Sequence, residues 1–140
     1  MSVLMHSCAS KTDKICQKID TALEQNNLEE AISMADEVYA SLPESSYENA
    51  IDIAFAYFVT AHDLYENNNV EQWLTKSLAS VNHAVKVDSA AAEEYFESLF
   101  ENQEGYTIDF FTQMLNTEID YVRQGGQLAD DELAAQFDKN

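Results

Sequence analysis

The most apolar stretch of the chain runs from Tyr47 to Tyr65, and its apolar residues recur at steps of three and four. That spacing is the period of one face of an α-helix, so it predicts a helix rather than a strand. Further apolar residues extend around its other sides, which is typical of a helix contacted by several neighbours. We therefore expect a central core helix. Its inner face is predicted to comprise Tyr47, Ala50, Ile51, Ala54, Phe55, Phe58, Ala61 and Tyr65.

This stretch does not have the pattern of a membrane span. Its uninterrupted apolar part covers only 53–61, and Glu48, Asp52 and Asp63 interrupt or flank that part. A spanning helix needs about 20 mostly apolar residues. The sequence therefore predicts no transmembrane segment.

Apolar stripes separated by capping residues and helix breakers predict further helices on both sides of the central one. Asn27 and Asp88 are suited to helix N-caps, whereas Pro43 and Gly125 are suited to helix ends. We expect an all-α single domain over 11–140, with six to seven antiparallel helices joined by short loops. The further helices are predicted at about 11–25, 27–42, 70–87, 88–104, 107–124 and 130–137.

Two stretches of the chain, 26–43 and 68–85, share a pattern: an Asn pair, a Leu or Val, two polar residues and then a packing residue. The pattern resembles the start of the second helix in a tetratricopeptide repeat, with Ala31 and Pro43 at the small-residue and helix-ending proline positions. This resemblance covers about residues 14–87 and implies stacked helix hairpins. The step between the stretches is 42 residues (68 − 26), whereas that repeat has about 34. An irregular helical bundle is the alternative architecture.

Acidic residues dominate the charged positions. The chain has 26 Asp and Glu but only 7 Lys and Arg, which gives a formal charge of −19 and a pI near 4.1. No Lys or Arg occurs between Lys18 and Lys76, or between Lys86 and Arg123. Such a surface repels phosphates and attracts basic groups. We expect a protein partner with a basic surface and no direct binding to nucleic acid.

The first eight residues, MSVLMHSC, are apolar and then small before Cys8, and a polar run follows. They resemble the end of a bacterial lipoprotein signal, in which the cysteine becomes the lipid-bearing residue. The resemblance implies a lipid anchor on Cys8 and a location on the periplasmic side of the cell envelope, provided that Met1 is internal to a longer precursor. Otherwise, residues 1–10 are a flexible terminus and the expected location is cytoplasmic.

Motifs for catalysis, metal binding or cofactor binding are not recognisable in the sequence. The histidines lack metal-ligand spacing, and the three glycines do not form a phosphate-binding loop. Cys8 and Cys16 do not form a four-ligand zinc pattern. We therefore predict no metal, no cofactor and no catalytic residue. An enzyme would require a cleft in which His62 lies beside a second ionisable residue.

Acidic and aromatic residues are concentrated near the fifth predicted helix. Five glutamates form an acidic ridge, in which Glu93/Glu97 and Glu97/Glu101 are pairs at i, i+4. Such like-charge pairs cost only tenths of a kcal/mol each, so the ridge is either a solvated face or a docking surface for a basic partner. The nearby aromatic residues belong either to the core or to a groove. The candidate partner-binding residues are the acidic ridge, Glu93, Glu94, Glu97, Glu101 and Glu104, together with Tyr95, Tyr106 and Phe110.

Four functional hypotheses follow from these patterns. The leading one is a non-enzymatic helical binding protein that uses a groove between helix hairpins, anchored in the bacterial cell envelope if the lipoprotein resemblance holds. The alternative is an acidic inhibitor or immunity protein that blocks a basic, nucleic-acid-binding site by charge mimicry. An enzyme built around His62 is the third. In the fourth, the charge serves solubility alone.

Overall fold

The computed structural model describes residues 11–64, 68–101, 103–126 and 128. These residues form six α-helices and no strand, which confirms the predicted all-α class. The predicted helix at 130–137 and the whole 1–10 segment, including Cys8, lie outside the described residues. A short 3₁₀ helix, Leu42–Glu44, lies between the second and third helices. The helices are α1 (Lys11–Glu24), α2 (Leu28–Tyr39), α3 (Tyr47–Asp63), α4 (Val70–Val87), α5 (Ser89–Leu99) and α6 (Ile108–Arg123).

Local capping interactions explain where several of these helices begin. The Asn27 side chain accepts a hydrogen bond from the Glu30 backbone N–H at 3.4 Å and donates one to the Glu30 carboxylate at 2.8 Å. Asp88 and Thr107 each accept from the backbone N–H three residues later, at 3.0 and 3.1 Å. These bonds satisfy amide groups that have no partner within the helix. They confirm the predicted starts of α2, α5 and α6.

Two predicted helix ends lie too far along the chain. The second helix ends at Tyr39 rather than near Leu42, and Pro43 lies within the 3₁₀ helix that follows. Proline lacks an N–H group and blocks the continuation of the preceding helix. The fifth helix ends at Leu99, before Glu101 adopts a left-handed conformation with φ of 56°. The backbone therefore leaves the helix earlier than the spacing of apolar residues indicates.

Helix α3 is the central element of the domain, as the sequence predicts. It packs against α1, α2, α4 and α5, and α4 in turn packs against α6. Most of its residues are buried, and they include the polar Asp52 and Thr60 as well as the apolar set. Among the described residues, no helix combines the length and the apolar character of a membrane span.

An aromatic cluster joins α3, α5 and α6, and comprises Phe55, Phe58, Phe96, Phe100 and Phe111. The Phe111 ring centroid lies 5.3, 5.1 and 5.5 Å from those of Phe55, Phe58 and Phe96. The Phe55 and Phe100 centroids are 5.8 Å apart in an edge-on arrangement. Such contacts are favourable beyond the area they bury. The cluster therefore holds three helices in a defined relative position.

Candidate functional site

A groove of about 360 Å³ lies between α1, α3 and α5, which we call the α1/α3/α5 groove. Its volume is within the range of small-molecule pockets, roughly 300–1,000 Å³. Most of its lining is apolar, but three carboxylic acids also face it. None of the described residues that line it is Lys, Arg or His. The lining comprises Leu23, Phe55, Val59, Leu99 and Phe100, with Asp20, Glu24, Asp52 and Tyr95.

Asp52 is the unusual member of this lining because it lies in the apolar central helix and is only 8% exposed. The Tyr95 hydroxyl of α5 donates a hydrogen bond to Asp52 Oδ1 at 2.9 Å. The carboxyl groups of Asp52 and of Asp20 in α1 also share a hydrogen bond. Since two carboxylates cannot donate to each other, one of the pair must carry a proton. Three helices thus contribute to one buried polar cluster.

Both aspartates favour the protonated form more than a free side chain does. Burial and the neighbouring Asp20 carboxylate raise the pKa of Asp52 from 3.8 to about 8, although the hydrogen bond from Tyr95 opposes the shift. Burial also raises the pKa of Asp20, while its interaction with Asp52 lowers it. Burial and the Asp52 charge raise the pKa of Tyr95. The two carboxyl groups are therefore a perturbed pair of the kind found at functional sites.

A second hollow of about 270 Å³ adjoins the groove on the other side of Tyr95. The Tyr47 and Tyr95 rings meet edge-on with centroids 6.3 Å apart. Tyr95 therefore separates two depressions along the same face of α5. The hollow is lined by Tyr47, Ala91, Glu94, Tyr95 and Ser98.

The acidic ridge divides into residues with different surroundings. Glu94 is exposed and lines the second hollow. The Glu93 carboxylate is partly buried and accepts a hydrogen bond from the Ile108 backbone N–H at 3.1 Å, so it holds the start of α6. Burial raises the pKa of Glu93, and a hydrogen bond with the partly buried Glu97 raises it further. The two remaining glutamates of the ridge, Glu101 and Glu104, are exposed in the connection between α5 and α6.

The three aromatic candidates also have different surroundings. Tyr95 lines both the groove and the second hollow. Tyr106 is only 5% exposed and stacks on Phe100 with ring centroids 5.0 Å apart. Phe110 is partly buried against the core. Tyr95 and Glu94 therefore lie together at the second hollow, whereas Tyr106 lies inside the fold.

Sequence reasoning did not identify Asp20, Glu24, Asp52 or Leu99 as site residues. Asp52 carried a usable signal, because a carboxylate within the most apolar stretch of a chain must find a partner or a proton. The Leu99 side chain is 45% exposed at the groove, although Leu is an apolar residue that a helix usually buries. Neither Asp20 nor Glu24 differs in its local pattern from other acidic positions on helix surfaces.

His62 does have an ionisable neighbour, the Glu118 carboxylate of α6. Its Nε2 atom lies 3.0 and 3.1 Å from the two carboxylate oxygens. Glu118 is completely buried, and the His62 side chain is 13% exposed. Neither residue lines the groove or the second hollow. The pair connects α3 to α6. Glu118 lies seven residues after Phe111, on the buried face of α6.

Within the described part of the chain, no group of three or more His, Cys, Asp and Glu residues has a geometry that would hold a metal ion. Comparisons of the chain with protein-family models, with curated protein sequences and with solved structures gave no significant match.

Proposed function

We propose that the protein is a non-enzymatic binding protein that holds a basic, amphipathic segment of a protein partner in the α1/α3/α5 groove. The observation that carries the proposal is the composition of the groove, where an apolar lining and three carboxylic acids occur without a basic residue among the described lining. An apolar side chain of the partner fills the groove, and its Lys or Arg residues face the acids.

Two further features support a partner with positive charge. The acidic excess leaves a surface that attracts basic groups over a distance set by ionic strength. Several of the few basic residues are already paired within the domain. Lys11 lies 3.8 Å from Glu37, Lys76 lies 3.6 Å from Asp36, and Arg123 lies 2.8 Å from Glu71.

The test uses two synthetic peptides with the same spacing of Leu and Phe. One carries Arg and Lys between them, and the matched peptide carries Gln at those positions. We expect the basic peptide to bind, and to bind less tightly at high salt. Leu99→Ser is expected to weaken binding about tenfold, because it removes an apolar contact worth about 1.4 kcal/mol. Fluorescence anisotropy of labelled peptides measures both effects.

Val87→Ser is the matched control for this experiment. Val87 ends α4, is 48% exposed and lies outside the groove lining. It is as accessible as Leu99, so it controls for the general loss of an exposed apolar side chain. Equal binding of the two peptides, or equal losses from Leu99→Ser and Val87→Ser, would contradict the proposal.

The narrower alternative is an inhibitor or immunity protein whose partner is itself a nucleic-acid-binding protein. The absence of Lys and Arg over 19–75 and 87–122 favours it, because a long acidic surface resembles a phosphate backbone. In this case an oligonucleotide competes with the chain for the basic partner. If the complex binds the oligonucleotide and does not release the chain, charge mimicry is excluded. Groove binding of a basic segment is not excluded by that result.

The location in the cell envelope is a separate part of the proposal, and it rests on the lipoprotein resemblance around Cys8. In a bacterial host, a precursor with a basic and apolar extension before Met1 is expected to incorporate labelled palmitate. Cys8→Ser is expected to abolish the label, because the thiol is the attachment point, whereas Cys16→Ser leaves it unchanged. Gel autoradiography measures incorporation. Equal labelling of the Cys8→Ser variant would rule out the anchor at this residue.

A further inference from the structure

The inner end of the α1/α3/α5 groove combines burial with negative charge from separate helices. Asp20 and Asp52 come from α1 and α3, and Tyr95 of α5 donates to Asp52. Glu24 of α1 lines the same groove. Glu48 of α3 adds to the negative potential at Asp52. The described lining supplies no positive charge to balance them.

A proton on one of the two aspartates relieves this concentration of negative charge in the free protein, because burial disfavours two charged carboxyl groups side by side. A buried carboxylate pair without a proton or a counter-ion would place two like charges in contact. The nearby Cys16 thiol does not supply a counter-charge, because burial raises its pKa to about 12 and the thiol stays neutral. A ligand cation can take the place of this proton. An ammonium or guanidinium group brings one positive charge and several N–H donors, which suits two carboxylates and a tyrosine oxygen.

The apolar lining matches the rest of such a ligand. Leu23, Phe55, Val59 and Phe100 surround the space beside the aspartates, and Leu99 lies partly exposed. Lys and Arg side chains carry an apolar stem below the charged head, so they can place the stem against these residues. The cavity volume of about 360 Å³ leaves room for one such side chain and part of its neighbours.

We infer that the α1/α3/α5 groove is a receptor for one Arg or Lys side chain of the basic partner, whose cationic head takes the place of a proton beside Asp20 and Asp52. The inference rests on the proposed function and names the group that the groove recognises. The displaced proton passes to the solvent, so the positive charge of the Arg or Lys side chain replaces that of the proton. Binding is therefore coupled to proton release.

The test uses n-butylguanidinium, which reproduces the end of an arginine side chain, and n-butylurea, its neutral counterpart of nearly the same shape. NMR titration of the whole chain is expected to show binding of n-butylguanidinium, with shifts confined to residues that line the groove. Replacing the cation by n-butylurea should weaken binding about tenfold to a hundredfold, because the charge-assisted hydrogen bonds are lost. Below the pH at which Asp52 loses its proton, affinity should rise about tenfold per pH unit, as the release of one proton requires.

Calorimetry of the basic peptide in buffers with different ionisation heats gives the number of protons released, which we expect to be about one. Asp52→Asn keeps the shape of the protonated acid but cannot release a proton. It should abolish the proton release and reduce the preference for n-butylguanidinium. Asp20→Asn should reduce the proton release, because the Asp20 charge is one cause of the raised pKa of Asp52. Glu29→Gln, which changes an exposed carboxylate of α2, removes the same charge outside the groove and should change neither result.

Binding of n-butylurea as tight as that of n-butylguanidinium would overturn the inference. Proton release that persists unchanged in Asp52→Asn would also overturn it. Neither result contradicts binding of the basic peptide in the groove or the dependence of that binding on Leu99. Failure of the basic peptide to bind would instead contradict the proposed function, so the two failures can be told apart.

Discussion

The free energy of unfolding of the wild-type chain is expected to fall as the pH rises between 3.8 and about 8, and that of Asp52→Asn to fall much less. Asp52 has a raised pKa in the folded chain because burial and Asp20 disfavour its charged form. Over this range the folded chain holds a proton that the unfolded chain has released. Its stabilising contribution is complete below pH 3.8 and is lost as the pH rises through about 8.

The expected size of this effect follows from proton linkage. Each proton held only by the folded chain lowers the free energy of unfolding by about 1.4 kcal/mol per pH unit. In Asp52→Asn, the introduced amide group can still accept from Tyr95 and can donate to Asp20, but it carries no charge at any pH. At pH 8 we expect Asp52→Asn to be about 2–4 kcal/mol more stable than the wild type. Urea unfolding followed by Trp73 fluorescence at a series of pH values measures the difference.

Glu29→Gln is the control for this prediction. Glu29 is exposed on α2 and lies outside the groove lining, and the substitution removes one negative charge as Asp52→Asn does. It therefore reports any general effect of reducing the net charge of −19. Parallel pH profiles for the wild type and Asp52→Asn would show that Asp52 does not hold the proton.

Phe111→Ala is expected to lower the free energy of unfolding by about 3–5 kcal/mol. The Phe111 side chain is completely buried, and its ring contacts Phe55, Phe58 and Phe96 of the aromatic cluster. Removal of the ring leaves a cavity at the junction of α3, α5 and α6. The loss is a large fraction of the about 5–15 kcal/mol that stabilises a typical domain. Urea unfolding measures it directly.

The neighbouring Phe110 provides a matched comparison, because it is the same residue type on the same helix but only partly buried. Phe110→Ala is expected to cost about 1–2 kcal/mol, since less apolar surface leaves the core. Equal losses from Phe110→Ala and Phe111→Ala would show that the buried ring contacts of the aromatic cluster do not stabilise the domain more than a partly buried phenylalanine does.

Much of the secondary structure is predictable because its causes lie within a few residues. The α4 bounds, Val70–Val87, follow from the apolar spacing and the polar residues on either side. The starts of α5 and α6 follow from Asp88 and Thr107, whose side chains accept from the backbone three residues later. The end of α2 is harder to predict, because the residues around Pro43 form a 3₁₀ turn that retains the apolar pattern.

The acidic ridge shows the limit of such local reasoning. Helical periodicity places Glu93, Glu97 and Glu101 along one helix, where all three look like solvated acids. Only the tertiary structure brings the Ile108 N–H within 3.1 Å of Glu93 and partly buries that carboxylate. The spacing along α5 contains no information about which helix end approaches it, so the role of Glu93 was not predictable.

The sequence by itself determined the all-α class, the central helix α3 and the acidic character of the surface, because helix formation, capping and net charge depend on residue types over short spans. Only the tertiary structure decided where the groove lies and which acids face it. Asp20, Asp52 and Tyr95 are far apart in the chain, and the packing of α1, α3 and α5 brings them together at one partly buried groove. Burial and proximity are properties of that packing, and they convert ordinary carboxylates into a pair that favours a bound proton.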